Sequence, residues 1–527
     1  MPCKYLTAFC CLFCLFAKSS AQGSWNVELL GLANRGDVRY SGSWSYTDAS
    51  GKEYALIGAK TGTAIYNIDD ANSLEELGFV PGPETNWREI TTIGNYAYVV
   101  TDAQGTGHSL QVIDLGYLPD SLHLLTEYTA TFTKGHIIQK AVDNDEPYIY
   151  VMGASPNEGV HILDVSDPGN PQEIGLYAPG YYIHDAHIRG NTMYAAAFYE
   201  TIMDIVDISD KTNPVLLGKI TYPGKNTHSC STTENGKYLI MADEADGYPA
   251  RVFNVENPTD VKEITSFTAN PLSLVHNPYV RGKYCFVSHN TEGLRIMDIA
   301  DPALPVEVGY FDTYPGPSGG FFGLWSACPY FPSGKIIGGD RTQGLYIWKF
   351  NNTLAARLYG TVVDSLTLAP LPAADIEIVE LADTLKSDQQ GLFKKGMLEG
   401  SYTVKVSLPG FAPKILVLDL AQGDSLAVQV PLVPDGFSLA RSADNSLKTL
   451  SVYPNPSPGH LNLDWKELQG VERIDFLNAA GKTIFTKKVE GRFALQINDG
   501  VLPKGHFWAK AMDSQGITLA TASISID

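Results

Sequence analysis

Histidine and tryptophan recur along this chain at one interval. Trp44, Trp87, His136, His184, His228, His276 and Trp325 are separated by 43, 49, 48, 44, 48 and 49 residues. Each opens an apolar alternating segment. The following segment of each unit ends in charged or polar groups, namely Lys60, Asp102, Glu200, Asp243, Glu244, His289, Asp340 and Arg341. Imidazoles with carboxylates are ligands for zinc or another divalent transition metal such as copper, nickel or iron. His136, His184, His228 and His276 are the candidate metal ligands. Tryptophan faces beside polar side chains suit a glycan or other small ligand. Trp44, Trp87, Arg88, Trp325, Asp340 and Arg341 are the candidates for that role. A carboxylate such as Asp243 or Glu244 beside a bound metal would serve as the base of a hydrolase or lyase. The same residues also suit a plain structural role, hydrogen-bonded to neighbouring elements or channel water.

The elements that would position these groups form a repeat. EGVHILDVSDPGNPQEIGLY from Glu158, TIMDIVDISDKTNPVLLGKI from Thr201 and EGLRIMDIADPALPVEVGYF from Glu292 share one pattern, and GTAIYNIDDANSLEELGFV from Gly62 is a weaker copy. Diverged copies lie at 109–128 and 250–267, and a truncated one starts at Gln343. The anchors Asn67, Asp114, Asp164, Asp207, Asn254, Asp298 and Lys349 are spaced by 47, 50, 43, 47, 44 and 51 residues. Period-two alternation predicts strands, and the D-x-x-x-P segment predicts a tight turn. Each unit also holds an upstream hairpin, with turns such as Asn235-Gly236 and Arg281-Gly282, so a unit has about four strands. Seven units predict a seven-bladed β-propeller. The last copy lacks its fourth strand, and WNVELLGLANRG from Trp25 matches that strand. The N-terminal segment is therefore expected to complete the last blade and close the ring. Inner strands would then gather the histidines and tryptophans at one channel mouth. By alternation His184 faces the axis and Asp185 does not. The acids Asp164, Asp207 and Asp298, with Asp167, Asp210 and Asp301, are spaced somewhat like a calcium loop, but Asp is also the preferred turn residue.

HILDVSDP at His161 and RIMDIADP at Arg295 resemble the LVIVD repeat. With GKEYALIGAKTGTAIYNI at Gly51, NWREITTIGNYAYVV at Asn86, GYYIHDAHI at Gly180 and GYFDTYPG at Gly309, the stretch Trp25–Phe350 is similar to the choice-of-anchor B family of secreted bacterial propellers. That resemblance implies the fold and surface anchoring, not an activity. Residues 357–433 run from RLYGTVVDSLTLAPLPAADIEIV to SLAVQVPL and are similar to the carboxypeptidase-regulatory-like domain, a β-sandwich without catalytic machinery of its own. Residues 447–527 carry Tyr453-Pro454-Asn455-Pro456 and an Asn478-to-Gly481 turn. They resemble the type A sorting domain of the type IX secretion system, which implies a diderm bacterial host and the type IX machinery as partner.

The chain of 527 residues is 44% hydrophobic and 18% charged, a globular balance. Its net charge of −20 gives no attractive field for nucleic acid, so no nucleic-acid partner is expected. Residues 1–21 read as a secretory signal peptide: Lys4, then an apolar run from Tyr5 to Ala17, then Ser19-Ser20-Ala21. No stretch is apolar enough for a transmembrane segment. Cys3, Cys10, Cys11 and Cys14 lie in the signal, leaving Cys230, Cys285 and Cys328, which allow at most one bridge.

The expected organisation is all-β: signal peptide 1–21, seven-bladed LVIVD-type propeller 24–352, β-sandwich 357–433, linker 434–446 and a second small sandwich for sorting, 447–527. The expected function is a secreted or cell-surface binding protein whose His- and Trp-lined mouth takes a metal ion, a small ligand or a glycan. The alternatives are a metal-dependent hydrolase or lyase at that mouth and a non-catalytic protein-interaction platform.

Overall fold

Alternation with period two places one face of every strand against the preceding repeat and the other against the following one, so the repeats stack as blades. The computed structural model describes residues 23–36, 39–70, 74–103, 109–435, 450–457, 459–465, 468–478, 481–489, 491–498 and 500–526. The expected signal peptide and nearly all of the expected linker lie outside these residues. No described helix is long and apolar enough to cross a membrane.

Seven antiparallel sheets follow one another among the described residues of the repeat region. The inner strands of the first six are Tyr40–Thr47, Arg88–Ile93, Ile137–Gln139, Ile183–Arg189, Thr227–Thr232 and Asn277–Arg281. Blade 7 contains Lys335–Asp340 and Gly344–Phe350, with an irregular inner segment that bridges through Leu324↔Asp340 and Cys328↔Ile337. Val27–Ala33 pairs with Gly344–Phe350 as its outer strand, Val27 opposite Phe350. The ring closes as the repeat pattern requires. The preceding Ser24–Trp25 extends blade 6 through Ser24↔Phe311.

Hydrophobic clusters lie between neighbouring blades all the way round. One joins blades 1 and 2 through Leu56, Ile65, Ile90 and Val99. The closing cluster joins blades 7 and 1 through Ile57, Ala64, Ile337 and Ile347. The repeated Asp or Asn of the third strand caps its turn. Asp164, Asp207 and Asp298 accept the backbone N–H two residues on at 2.8 Å, and Asn67 and Asn254 do the same at 2.9 and 3.0 Å. Asp167, Asp210 and Asp301 cap the next turn identically. These acids are turn supports. The fourth-strand glycine of the repeat has a packing reason. A Cβ on Gly175 would lie 1.9 Å from the Lys211 carbonyl oxygen of the next blade's turn, and one on Gly218 2.0 Å from that of Pro258. Cys230, Cys285 and Cys328 are buried free thiols.

Residues 356–434 form two four-stranded sheets around Leu358, Ile376, Val404 and Val430. Ala356–Asp364 runs parallel to Ser425–Pro434. This sandwich and the propeller form one compact unit, and residues 435–527 form another. The described elements of the second unit are strands, with a core of Trp465, Phe476, Leu463 and Ile524. The propeller meets the sandwich through a buried ion pair. Arg357 Nη2 donates to Asp298 Oδ1 at 2.8 Å, and Asp298 Oδ2 also accepts the Ala355 N–H at 2.8 Å. Tyr359 donates its hydroxyl to Asp301 at 2.7 Å. Removing one partner of a buried pair strands the other charge. Arg357→Ala is therefore expected to lower stability by about 3–5 kcal/mol in urea unfolding.

Candidate functional site

The first strand of each blade leaves one end of the channel, and the second strand returns to it. The start of the one and the residue just beyond the other therefore meet at a single mouth. His184 and His228 occupy bulges there. The register shifts between Ile183 and Asp185 and between Thr227 and Ser229, and each extra residue turns its ring toward the channel. The rings form a continuous arc across four blades. Centroids are 4.7 Å apart for His136–His184, 4.4 Å for His184–His228 and 4.3 Å for His228–His276. Trp325 continues the arc 4.1 Å beyond His276, and Trp87 flanks His136 at 6.1 Å.

Backbone carbonyls of neighbouring blades set the imidazole orientation. His228 Nδ1 lies 3.1 Å from the His276 carbonyl oxygen, and His276 Nδ1 lies 2.9 Å from that of Trp325. Both Nδ1 atoms can only donate to these oxygens. In the neutral ring each Nε2 then carries a free lone pair. Burial lowers both pKa values to about 3 and takes His184 well below its usual value, the neighbouring imidazoles adding to the effect. His276 Nε2 and His184 Nδ1 are buried without a hydrogen-bond partner among the described residues. Glu244, one residue beyond its second strand, brings Oε1 to 3.7 Å from His276 Nε2 and 4.0 Å from His228 Nε2. His184, His228 and Glu244 each offer one ligand atom within 4.8 Å of the others. His136 adjoins this group, its Nε2 3.0 Å from His184 Nε2 and its Nδ1 3.7 Å from Asp102. A Cβ on Gly153 would lie 2.5 Å from His136 Cβ, so that glycine, at φ +63, makes room for the histidine.

Several expected residues are elsewhere. Trp44 lies farther along its strand, packed against Tyr330 at 5.7 Å and lining a separate basin at the opposite end of the channel. Its strand is shifted between Tyr40 and Ser43, so Ser41 and Gly42 hold the position that His228 occupies in blade 5. Arg88 is fully buried, donates to the carbonyls of Ala59 and Pro83, and never reaches the mouth; burial lowers its pKa to about 10. Asp340 accepts Thr313 Oγ1 at 2.7 Å and the N–H groups of Thr342 and Gln343, which commits it to a turn. Asp243 is likewise occupied by Tyr222, Lys225 N and Asn226 N. Arg341 does reach the mouth, its guanidinium 4.9 Å above the Trp325 ring.

The arc also contains residues that sequence reasoning missed. Phe198 stacks on His184 at 5.0 Å, and Tyr182 meets it edge-on at 6.0 Å. Phe198 follows its second strand as Asp102, Glu244 and Arg341 follow theirs. Strict counting from the strand end selects it, rather than Glu200. Asp185, expected to face away from the channel, lines a small channel cavity of about 50 Å³ together with Glu89. The bulge at His184 resets the alternation. Trp325 Nε1 donates to Glu89 at 3.1 Å, and Gln139 Nε2 to Asp185 at 3.2 Å.

The LVIVD repeat profile matches residues 143–178, 183–221 and 277–313, which fall in blades 3, 4 and 6. The carboxypeptidase regulatory-like domain matches 357–433, and a secretion system C-terminal sorting domain matches 451–524. The chain carries LVIVD repeats, a carboxypeptidase regulatory-like domain and a type IX sorting domain. It is a secreted or cell-surface protein, and its sorting domain engages the type IX machinery. No match to a curated protein was found.

Glu89 gives this site a pH signature. It lines the channel cavity, and burial, with Asp185 adding to it, raises its pKa from 4.5 to about 8. The folded state thus holds a proton that the unfolded chain releases above pH 4.5. The stability this contributes is complete below pH 4.5 and is lost as pH rises through about 8. Glu89→Gln keeps an acceptor for Trp325 and should raise the melting temperature more at pH 9 than at pH 5. An equal gain at both values would contradict the assignment.

Proposed function

We propose that this protein is an exported metal-binding propeller in which His184, His228 and Glu244 hold a divalent transition metal, with His276 beside them. The observation that supports this most directly is the orientation of His228 and His276. Each gives its Nδ1–H to a backbone carbonyl and aims a neutral Nε2 lone pair at one carboxylate, the arrangement that outer-shell hydrogen bonds impose on metal-bound histidine. Two imidazoles and a carboxylate are a ligand set of catalytic zinc sites, which keep a position open for water or a ligand. Ligand atoms within 4.8 Å stand wider than the roughly 3.3 Å of a tetrahedral zinc shell, so the side chains would close inward on binding.

A metal-dependent hydrolase or lyase is the second reading. Its basis is the pairing of His136 with Asp102 beside the proposed ligands. Burial raises the Asp102 pKa, but His136 and Thr85 outweigh it and hold the carboxylate below its usual value. In that reading Glu244 is a ligand and His136, oriented by Asp102, takes the role of base. The mouth is less suited to a glycan than the sequence implies, because Trp44 is absent from it and Trp325 is 4% exposed.

Elemental analysis of the full chain, after dialysis against zinc, is expected to find roughly one equivalent of metal. His228→Ala and Glu244→Gln should each remove it while His123→Ala does not. Stoichiometric metal in His228→Ala would overturn the ligand assignment. Deleting residues 451–524 is expected to leave the protein in the periplasm of a type IX-competent host, read by cell fractionation.

A further inference from the structure

The channel has a second, independent opening. Its rim is formed by the hairpin turns between first and second strands, at the end opposite the histidines. The basin there has a volume of about 620 Å³, within the roughly 300–1,000 Å³ typical of small-molecule sites. Trp44 of blade 1 and Tyr330 of blade 7 form its floor, their rings tilted by 52° with centroids 5.7 Å apart. Both also line the small channel cavity of Glu89 and Asp185, so this pair stands between the basin and that part of the channel.

The basin carries one cation and two carboxylates, a single net negative charge. Lys140 pairs with Asp145. Asp48 accepts the N–H groups of Ser50 and Lys52 at 2.8 and 3.0 Å and the Tyr54 hydroxyl at 3.2 Å. Neutral donors remain. The Trp44 indole N–H, the Tyr330 hydroxyl and the Asn95 amide N–H make no hydrogen bond among the described residues, although Asn95 Oδ1 accepts Tyr46 at 3.1 Å. The basin thus joins two tilted aromatic faces and unpartnered neutral donors, with no cation left unpaired.

We propose that this basin is a binding site for a neutral saccharide of about two sugar rings. The C–H faces of a pyranose stack on aromatic rings, and its hydroxyls accept from indole, phenol and amide donors. An anionic ligand would meet Asp48 and Asp145, and a cationic one would compete with Lys140 for Asp145. The site is distinct from the proposed metal centre and does not rest on it.

Isothermal titration of the full chain against neutral disaccharides (cellobiose, maltose, lactose and chitobiose), with glucuronic acid as the charged control, tests the proposal. At least one neutral disaccharide is expected to bind saturably and glucuronic acid to bind more weakly. Trp44→Ala should weaken binding by roughly tenfold or more. Ala49→Arg, at an exposed rim position, should also abolish it by filling the basin without disturbing the core, which guards against a folding defect in the first variant. His228→Ala should leave it unchanged. Absence of binding across the neutral panel overturns the proposal. So does binding that survives both basin variants, or binding lost in His228→Ala and kept in Ala49→Arg, which would put the ligand at the histidine mouth.

Discussion

The pairing of Val27–Ala33 with Gly344–Phe350 is the constraint on which the molecule turns. It joins strands over 300 residues apart in the chain. Closing so long a loop costs little more entropy than closing one half its length, because the penalty grows only logarithmically. The return is a complete circle of inter-blade cores. In an open ring the cluster of Ile57, Ala64, Ile337 and Ile347 would face water. The hydrogen bond between Ser43 and Ser326 and that from Tyr40 N to the Arg341 carbonyl would have no partner. The channel depends on closure in the same way. Trp325 of blade 7 packs on His276 of blade 6, their rings tilted by 49°, while bonding to Glu89 of blade 2, a contact past blade 1 that only a ring permits.

Closure also decides the electrostatics of the mouth. Four imidazoles held with neighbouring ring centroids 4.3–4.7 Å apart cannot all be protonated in an enclosed space, since each charge would repel the next and lose its hydration. Burial resolves this by keeping His184, His228 and His276 neutral. The carbonyls of the following blades then determine which nitrogen carries the proton. Neutral nitrogen lone pairs directed at a carboxylate are thus a product of the inter-blade backbone geometry as much as of the side chains themselves. Glu244 complements His228 and His276, whereas Asp243, its neighbour in sequence, is consumed by the turn before its own blade's first strand.

The fold was legible in the sequence because it is periodic. Alternation marked the strands, the capping Asp or Asn marked every turn after a third strand, and the unmatched outer strand at Trp25 announced the closure. The arc of four histidines was legible for the same reason, since a common phase implies a common height along the axis. Phase errors of a few residues were enough to misplace others. Trp44 stands 43 residues before Trp87, the shortest interval of the series, and that offset carries it to the far side of the channel. Bulges at His184 and His228 lie beyond simple alternation, and so the inward turn of Asp185 was invisible. Arg88 and Asp340 have types that suit a binding site, yet buried backbone groups claim them. Residue type gives no sign of such a competing partner.

The repeat also explains how the sandwich is held. Asp164 and Asp207 cap their turns and stay partly exposed, but Asp298, the same residue of blade 6, is fully buried. It keeps the capping bond to Ala300 N while its remaining lone pairs take Arg357 and the Ala355 N–H. A turn residue already fixed by the propeller thereby became the anchor of the next domain. Third strands run away from the histidine mouth, so this anchor lies on the opposite side of the blade. The sandwich's contacts with Asp298, Asp301 and the Ala303 carbonyl all gather there. Docking through a recurring feature of the repeat, at the end away from the imidazoles, leaves the histidine mouth to the inner strands and the ends of the second strands.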